Sequence, residues 1–274
     1  MKKILSTILV LVTTLGILNP AAVLATTNTH SIDFEAGSSQ SLCISDASQT
    51  GLDMGTDDFS MSVRVKIESD PSATSYTMMA KYNSLDVGVI GWTWDYNDNA
   101  GTKRLRAVMG PLNIVTAINQ TLTTGTWYHI VYVYDDSDGT IDVYVDNSSI
   151  GQMTGQVSLT SLSGNASFCL GAIQPDNGNF MDGLEDEAFI YNKKLSTAEI
   201  DDLFNRDGNY CTLTTTDANL QGGWRLNNDG QIDQSGNNNT LTNNNSAAYS
   251  TDVPFASDNC GGGGGNGRKR VSEE

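Results

Sequence analysis

Residues 58–68 read Asp58-Phe59-Ser60-Met61-Ser62-Val63-Arg64-Val65-Lys66-Ile67-Glu68. Phe59, Met61, Val63, Val65 and Ile67 fall on one side of an extended chain, with Ser60, Ser62, Arg64, Lys66 and Glu68 on the other. That period of two predicts a strand with one face buried. Trp127 to Tyr134 is apolar or aromatic on both parities, which predicts a central strand covered on both sides. Asp135-Asp136-Ser137-Asp138-Gly139 then supplies a turn, and Ile141, Val143 and Val145 alternate again, the pattern of a hairpin. Shorter strand candidates are 32–36, 42–45, 77–82, 87–92, 104–109, 168–173 and 184–191. Many short strands parted by Gly, Asn and Asp predict an all-β sandwich or jelly roll.

One short helix stands out. Ser196-Thr197-Ala198-Glu199 is a capping box, in which the Ser hydroxyl caps an orphan N–H and Glu199 reaches back to the first amide. Ile200, Leu203 and Phe204 follow at helical spacing, and Asp207-Gly208 ends the segment. At this length the helix persists only if it docks on a sheet.

The composition narrows the function. The 274 residues hold 32 acids against 15 Lys and Arg, a net charge of −17. Such a chain repels phosphate backbones and anionic lipid, which argues against nucleic acid as a partner. Divalent cations and neutral polar ligands such as sugars remain compatible. Met1-Lys2-Lys3, an apolar run from Ile4 to Leu18, and Val23-Leu24-Ala25 read as a secretory signal over residues 1–25. The run is shorter than the roughly 20 residues of a spanning helix, so no membrane insertion is expected after cleavage, and the product is expected to be secreted or at the cell surface. In an oxidising compartment the four cysteines are expected to form two disulfides. Of three pairings, Cys211–Cys260 would close the C-terminal segment and Cys43–Cys169 would join two strands. Residues 26–256 read as one domain, of which 210–256 is a closing segment, and 257–274 as a flexible glycine-rich tail.

Several runs resemble the laminin-G-like (LamG-like) jelly roll of the concanavalin A-like lectin/glucanase superfamily. They are Asp33-Phe34-Glu35-Ala36-Gly37, Asp58 to Lys66, Thr126-Trp127-Tyr128-His129, Ile141 to Asp146, and Gly183-Leu184-Glu185-Asp186-Glu187-Ala188-Phe189-Ile190-Tyr191, followed by Leu195 to Ile200. Their order and spacing match over about residues 31–206. The resemblance implies a two-sheet antiparallel jelly-roll β-sandwich. The family usually opens with a W-x-L strand and a D-x-S-G-N-x-N loop. Here Trp224-Arg225-Leu226 and Asp233 to Asn239 come last, which amounts to a circular permutation, with Trp224 expected to be buried against the strand starting at Ile32; the opening of a second, truncated repeat is the alternative.

Candidate sites follow from the residues and the resemblance together. Asp186 shares parity with Leu184, Ala188 and Ile190, and a carboxylate on an apolar face needs a partner. Backbone amides at a bulge are one reading. The other, implied by calcium-binding relatives, is a structural Ca²⁺ held by Asp186, with carbonyls around Glu35 to Gly37 and with Asp233 adding to it. Trp92, Trp94 and Tyr96 alternate, so one face could stack on sugar rings while Asp95, Asn97, Asp98 and Asn99 bind hydroxyls. Packing into the core is the alternative. The superfamily's glucanases carry E-x-D-x-x-E. Glu185-Asp186-Glu187 lacks the third acid, because Ile190 takes its place. No catalytic residue is therefore assigned, although Glu185 and Glu187 would share a face of a regular strand. The reading is a non-catalytic binding or adhesion module for a glycan or an extracellular protein. The alternatives are a spacer in a larger surface protein and a degenerate glycoside hydrolase.

Overall fold

The alternating run at 58–68 becomes strand β3, Phe59–Ile67, near the middle of an eight-stranded sheet. The computed structural model describes residues 27–256 apart from 72–74, 83–90, 111–113, 156–163, 175–177 and 228–229. The expected signal at 1–25, the tail at 257–274 and Cys260 lie outside the described residues, as does most of the 87–92 candidate.

The chain opens with β1 (Ser31–Phe34), β2 (Ser41–Ile44), β3, β4 (Ser75–Lys81), β5 (Trp92–Asn99) and β6 (Thr102–Met109). It continues with β7 (Ile114–Asn119), β8 (Trp127–Asp135), β9 (Thr140–Val145), β10 (Ser148–Met153), β11 (Phe168–Leu170) and β12 (Gly183–Tyr191). Helices α1 (Thr197–Asn205) and α2 (Tyr210–Thr215) follow, then β13 (Leu220–Trp224), β14 (Thr242–Asn244) and β15 (Ala248–Ser250). One sheet runs β10-β9-β8-β3-β12-β1-β15, with β13 also paired to β12; the other runs β14-β2-β11-β4-β5-β6-β7. Every paired ladder is antiparallel. Two facing antiparallel sheets make a jelly-roll sandwich.

The core fills the space between the sheets. Val63, Val65 and Ile67 meet residues such as Trp94, Phe168 and Met109, all fully or almost fully buried. Aromatic rings run through it: Trp94 stacks on Tyr132 at 4.4 Å and Phe168 on Trp224 at 4.9 Å. Cys43 and Cys169, opposite each other on β2 and β11, are joined by a disulfide. Cys211 is also disulfide-bonded.

The chain end closes the sandwich differently from the expected contact with β1. Trp224 is fully buried, but its strand lies along β12, pairing at Ala188–Tyr191. β1 pairs with the other half of β12 at Gly183–Glu185, so β1 and β13 share one edge end to end. β15 then covers the outer edge of β1, and β14 covers that of β2. The outer edges on this side are therefore the three-residue strands β15 and β14, and short edge strands offer little template for pairing.

The two outer faces differ. α1 keeps its capping box, and with α2 it buries Ile200, Leu203, Tyr210 and Leu213 on Val131, Val133, Phe189 and Tyr191. The helices therefore roof the eight-stranded sheet. Among the described residues no helix covers the outer face of the seven-stranded sheet. No helix among the described residues is long and apolar enough to cross a membrane.

Candidate functional site

The aromatic platform expected at Trp92, Trp94 and Tyr96 is not a surface. The three do share one face of β5, but that face looks into the sandwich, and all three are buried against Phe59, Tyr132 and Leu122. Alternation fixes which residues lie together and not which way they look. The largest apolar groups take the core because burial there removes the most apolar area from water. The side of β5 facing away from the core carries Thr93, Asp95 and Asn97, two of which were expected to bind hydroxyls.

Asp186, Glu35 and Asp233 are not brought together. Asp186 sits on the helix-covered face, fully buried, accepting from the Asn28 amide at 2.6 Å and the Glu187 N–H at 2.9 Å. Burial first, then the neighbouring Glu187, pushes its pKa well up. Arg64 stands opposite it on β3 and draws it back. Both oxygens are thus occupied by donors, which does not fit a calcium ligand. Asp233 organises its own loop, taking the N–H groups of Gly223, Ser235 and Asn239, each at 2.9 Å, and the Ser235 hydroxyl at 2.7 Å. Glu35 lies past the end of β1. There Phe34 pairs with Gly183, and Gly183 with Ile67, so the next residues out are Glu35 and Glu68. Gly183 is required at this row, since a Cβ would lie 2.2 Å from the Lys66 carbonyl oxygen.

Asp33, Glu35 and Glu68 consequently offer carboxylate oxygens all within 4.8 Å of one another. Asp33 Oδ1 is a buried oxygen with no hydrogen-bond donor. Burial first, then the charge of Glu35 and of Asp182, raises the pKa of Asp33; burial first, then Asp33, Glu35 and Asp182, raises that of Glu68. An oxygen-only set with one buried, unpartnered oxygen is the kind that a hard divalent cation takes. Sequence reasoning found Glu35 but missed its companions, because the juxtaposition depends on the register of three strands.

Glu185 and Glu187 part company. Glu187 has φ +51°, and the β12–β3 register slips between Asp186 and Phe189. This bulge leaves Glu185 inside the sandwich, in register with Ile32 and Val65. Glu187 is turned outward to the Tyr210 hydroxyl under the helices. A facing carboxylate pair, such as a retaining glycosidase needs, is not formed by them. His129 is buried with Nε2 2.7 Å from the Ser62 hydroxyl, and burial and Arg64 hold its pKa well below the usual range.

The outer face of the seven-stranded sheet is ordered in rows across β4, β5, β6 and β7. One row is Ser75, Asn97, Arg104 and Asn119. Asn97 donates to the Ser75 hydroxyl at 2.9 Å and accepts from Arg104 Nε at 2.8 Å. The next row holds Asp95, fully buried and saturated by the Thr77 and Thr93 hydroxyls at 2.9 and 2.7 Å and by Arg106. Beyond it come Val108 and the exposed Val115. The polar row runs into a cleft of about 440 Å³ lined by Ala36, Ser69, Asp70, Ser75, Tyr76, Asn179 and Phe180. Ser75 belongs to both. Glu35 and Glu68 adjoin the cleft through their neighbours Ala36 and Ser69. Lys103 braces its rim, bonding the Pro71 carbonyl at 3.1 Å and Asp98 at 3.0 Å. The alternation Arg104-Leu105-Arg106-Ala107 was a legible signal for this face.

Comparison with known proteins agrees with the architecture. A laminin-G-type family model, described as concanavalin A-like lectin/glucanases superfamily, matches residues 36–201. No curated protein sequence matches the chain. Among solved structures, a Bacteroides ovatus protein described as a candidate carbohydrate-binding protein is similar at TM-score 0.59 and 14% identity, over 84% of this chain and 62% of its own. The chain thus spans about three fifths of that protein's length. A heptameric pentraxin of Limulus polyphemus gives TM-score 0.49 and 13% identity over 83% of this chain and 92% of its own. Domain 4 of an extracellular arabinanase from Geobacillus stearothermophilus, in complex with arabinotriose, gives 0.41 and 22% over 55% and 69%.

Proposed function

Because the chain belongs to the laminin-G-type family of the concanavalin A-like lectin/glucanases superfamily, we propose that it is an exported, non-catalytic carbohydrate-binding module. The observation that carries the reading is the polar row Ser75–Asn97–Arg104–Asn119, on the face that no described helix covers, running into the cleft beside Tyr76. Side chains on paired strands hold fixed positions, so they are preorganised for a ligand. Sugar hydroxyls would exchange hydrogen bonds with Ser75, Arg104 and Asn119, and ring faces would rest on the Tyr76 and Phe180 side of the cleft. The likeness to the Bacteroides ovatus protein supports this class of ligand. The Cys43–Cys169 bridge supports an oxidising, extracellular setting. No hydrolytic step is assigned, since Glu185 and Glu187 lie on opposite faces.

Calcium is part of the proposal. Asp33, Glu35 and Glu68 would hold it, and it would neutralise their crowding and fix the loop at the cleft. The test is a glycan array on the exported chain, in millimolar calcium and in EDTA. A reproducible sugar hit upholds the reading; a blank array in both buffers overturns it. A hit that survives EDTA overturns only a role for the cation in binding.

A further inference from the structure

We propose that this face selects a sugar bearing a carboxylate, gripped by the Arg104 guanidinium. The proposal rests on the carbohydrate reading and names the ligand class of that same face.

Arg104 differs from every other described basic residue. Lys66, Lys81, Lys103, Arg106, Lys193 and Lys194 each pair with one or two carboxylates. Arg64 bonds the helix-end carbonyls of Leu203 and Phe204. Arg206 lies over the Phe255 ring, and Arg225 over Tyr210 while bonding Thr214. Among the described residues Arg104 has only Asn97 Oδ1, on its Nε at 2.8 Å. No carboxylate reaches it, and its two terminal amino groups have no partner among the described residues.

That is notable in a chain with 32 acids for 15 bases, where an acidic partner is easily supplied. The bond through Nε fixes the plane of the group and leaves its end-on fork free. Two parallel N–H groups match the two oxygens of a carboxylate. The flanks are neutral hydroxyl binders. Ser75 still has its O–H to donate, and the Asn119 amide is exposed with no side-chain bond. The charge is also single: Arg106 beside it is neutralised by Asp95. With a net charge of −17, a densely charged polyanion is repelled, whereas one carboxylate on an otherwise neutral sugar surface is accommodated. A uronate or sialate residue has that chemistry.

The experiment is calorimetric titration of the full exported chain with uronate- and sialate-bearing oligosaccharides and with the same compounds reduced from carboxylate to alcohol. Wild type, Arg104→Gln and Arg104→Lys are compared. The expected result is an acidic member bound about tenfold to a hundredfold more tightly than its reduced form, as a charge-assisted bidentate contact provides. Arg104→Gln should abolish that ratio with an unchanged melting temperature, and Arg104→Lys should keep only part of it. Equal binding of acidic and reduced forms, indifferent to Arg104→Gln, overturns this proposal and leaves the carbohydrate reading standing. Failure of every acidic member while neutral glycans bind does the same. Binding of no glycan at all overturns both.

Discussion

Glu185 makes a sharp test of the structure. It is fully buried between the sheets, in register with Ile32 and Val65, and neither carboxyl oxygen has a hydrogen-bond partner. Burial pushes its pKa well above the usual carboxylate range; the Gly171 N–H draws it back, although that N–H already donates to the Met78 carbonyl at 3.2 Å. In the folded chain Glu185 therefore keeps its proton at pH values where the unfolded chain has lost it. Its contribution is complete below the ordinary value of 4.5 and is lost as pH rises from there toward the folded-state pKa. Each pH unit in that window costs about 1.4 kcal/mol. Glu185→Gln removes the ionisation while keeping the shape. Urea unfolding of wild type and variant at pH 5.0 and 7.5 should show the two nearly level at pH 5.0 and the variant clearly more stable at pH 7.5, the gap opening by at most about 1.4 kcal/mol per pH unit. Comparing slopes cancels the other carboxylates, which titrate in both proteins. A variant less stable at pH 7.5, with the wild-type pH slope intact, would refute the burial argument.

Replacing Cys43 and Cys169 by serine opens a loop spanning 126 residues and should cost about 2–5 kcal/mol, read by denaturant midpoint without reductant. Asp233→Ala frees three backbone N–H groups and a hydroxyl, so a loss of about 2–4 kcal/mol is expected in the same assay; a loss under 0.5 kcal/mol would show that water replaces it. Millimolar calcium should raise the melting temperature of the wild type and leave Glu35→Gln/Glu68→Gln unmoved, and an equal rise in both would place any ion elsewhere. Trp94→Ala should cost about 3–5 kcal/mol as a core truncation, and a variant that stays fully stable would return Trp94 to the surface.

The fold was legible because its cues are periodic. Asp58–Glu68 announced a strand, although Ser60, Ser62 and Arg64 on its polar side are buried as well; the Ser196–Glu199 capping box set the start of α1, and the Trp127–Tyr134 run marked β8 as central. What failed were statements about direction and register. Trp92, Trp94 and Tyr96 do share a face, but period two is blind to inside and outside, so the pattern left both a sugar platform and core packing open, and the structure takes the core. Glu185 and Glu187 were put together by the same rule, which one positive φ at Glu187 breaks. Asp186 was recognised as a buried acid in need of partners, but Asn28, 158 residues earlier, leaves no local trace. Asp33, Glu35 and Glu68 meet only because β1, β12 and β3 end in step. Arg104 falls in the strand candidate 104–109, but nothing in the alternation distinguishes a cation with a free fork from an ordinary solvated one.

The central claim, a sugar held on the uncovered face of the seven-stranded sheet, is tested most directly by hydrogen–deuterium exchange with and without the tightest-binding oligosaccharide from the array. The account predicts slowed exchange at Ser75–Thr77, Asp95–Arg106 and Ala117–Asn119, with α1, α2 and β13 unchanged. Slowing confined to the helix-covered face, or none anywhere at saturating sugar, would contradict it.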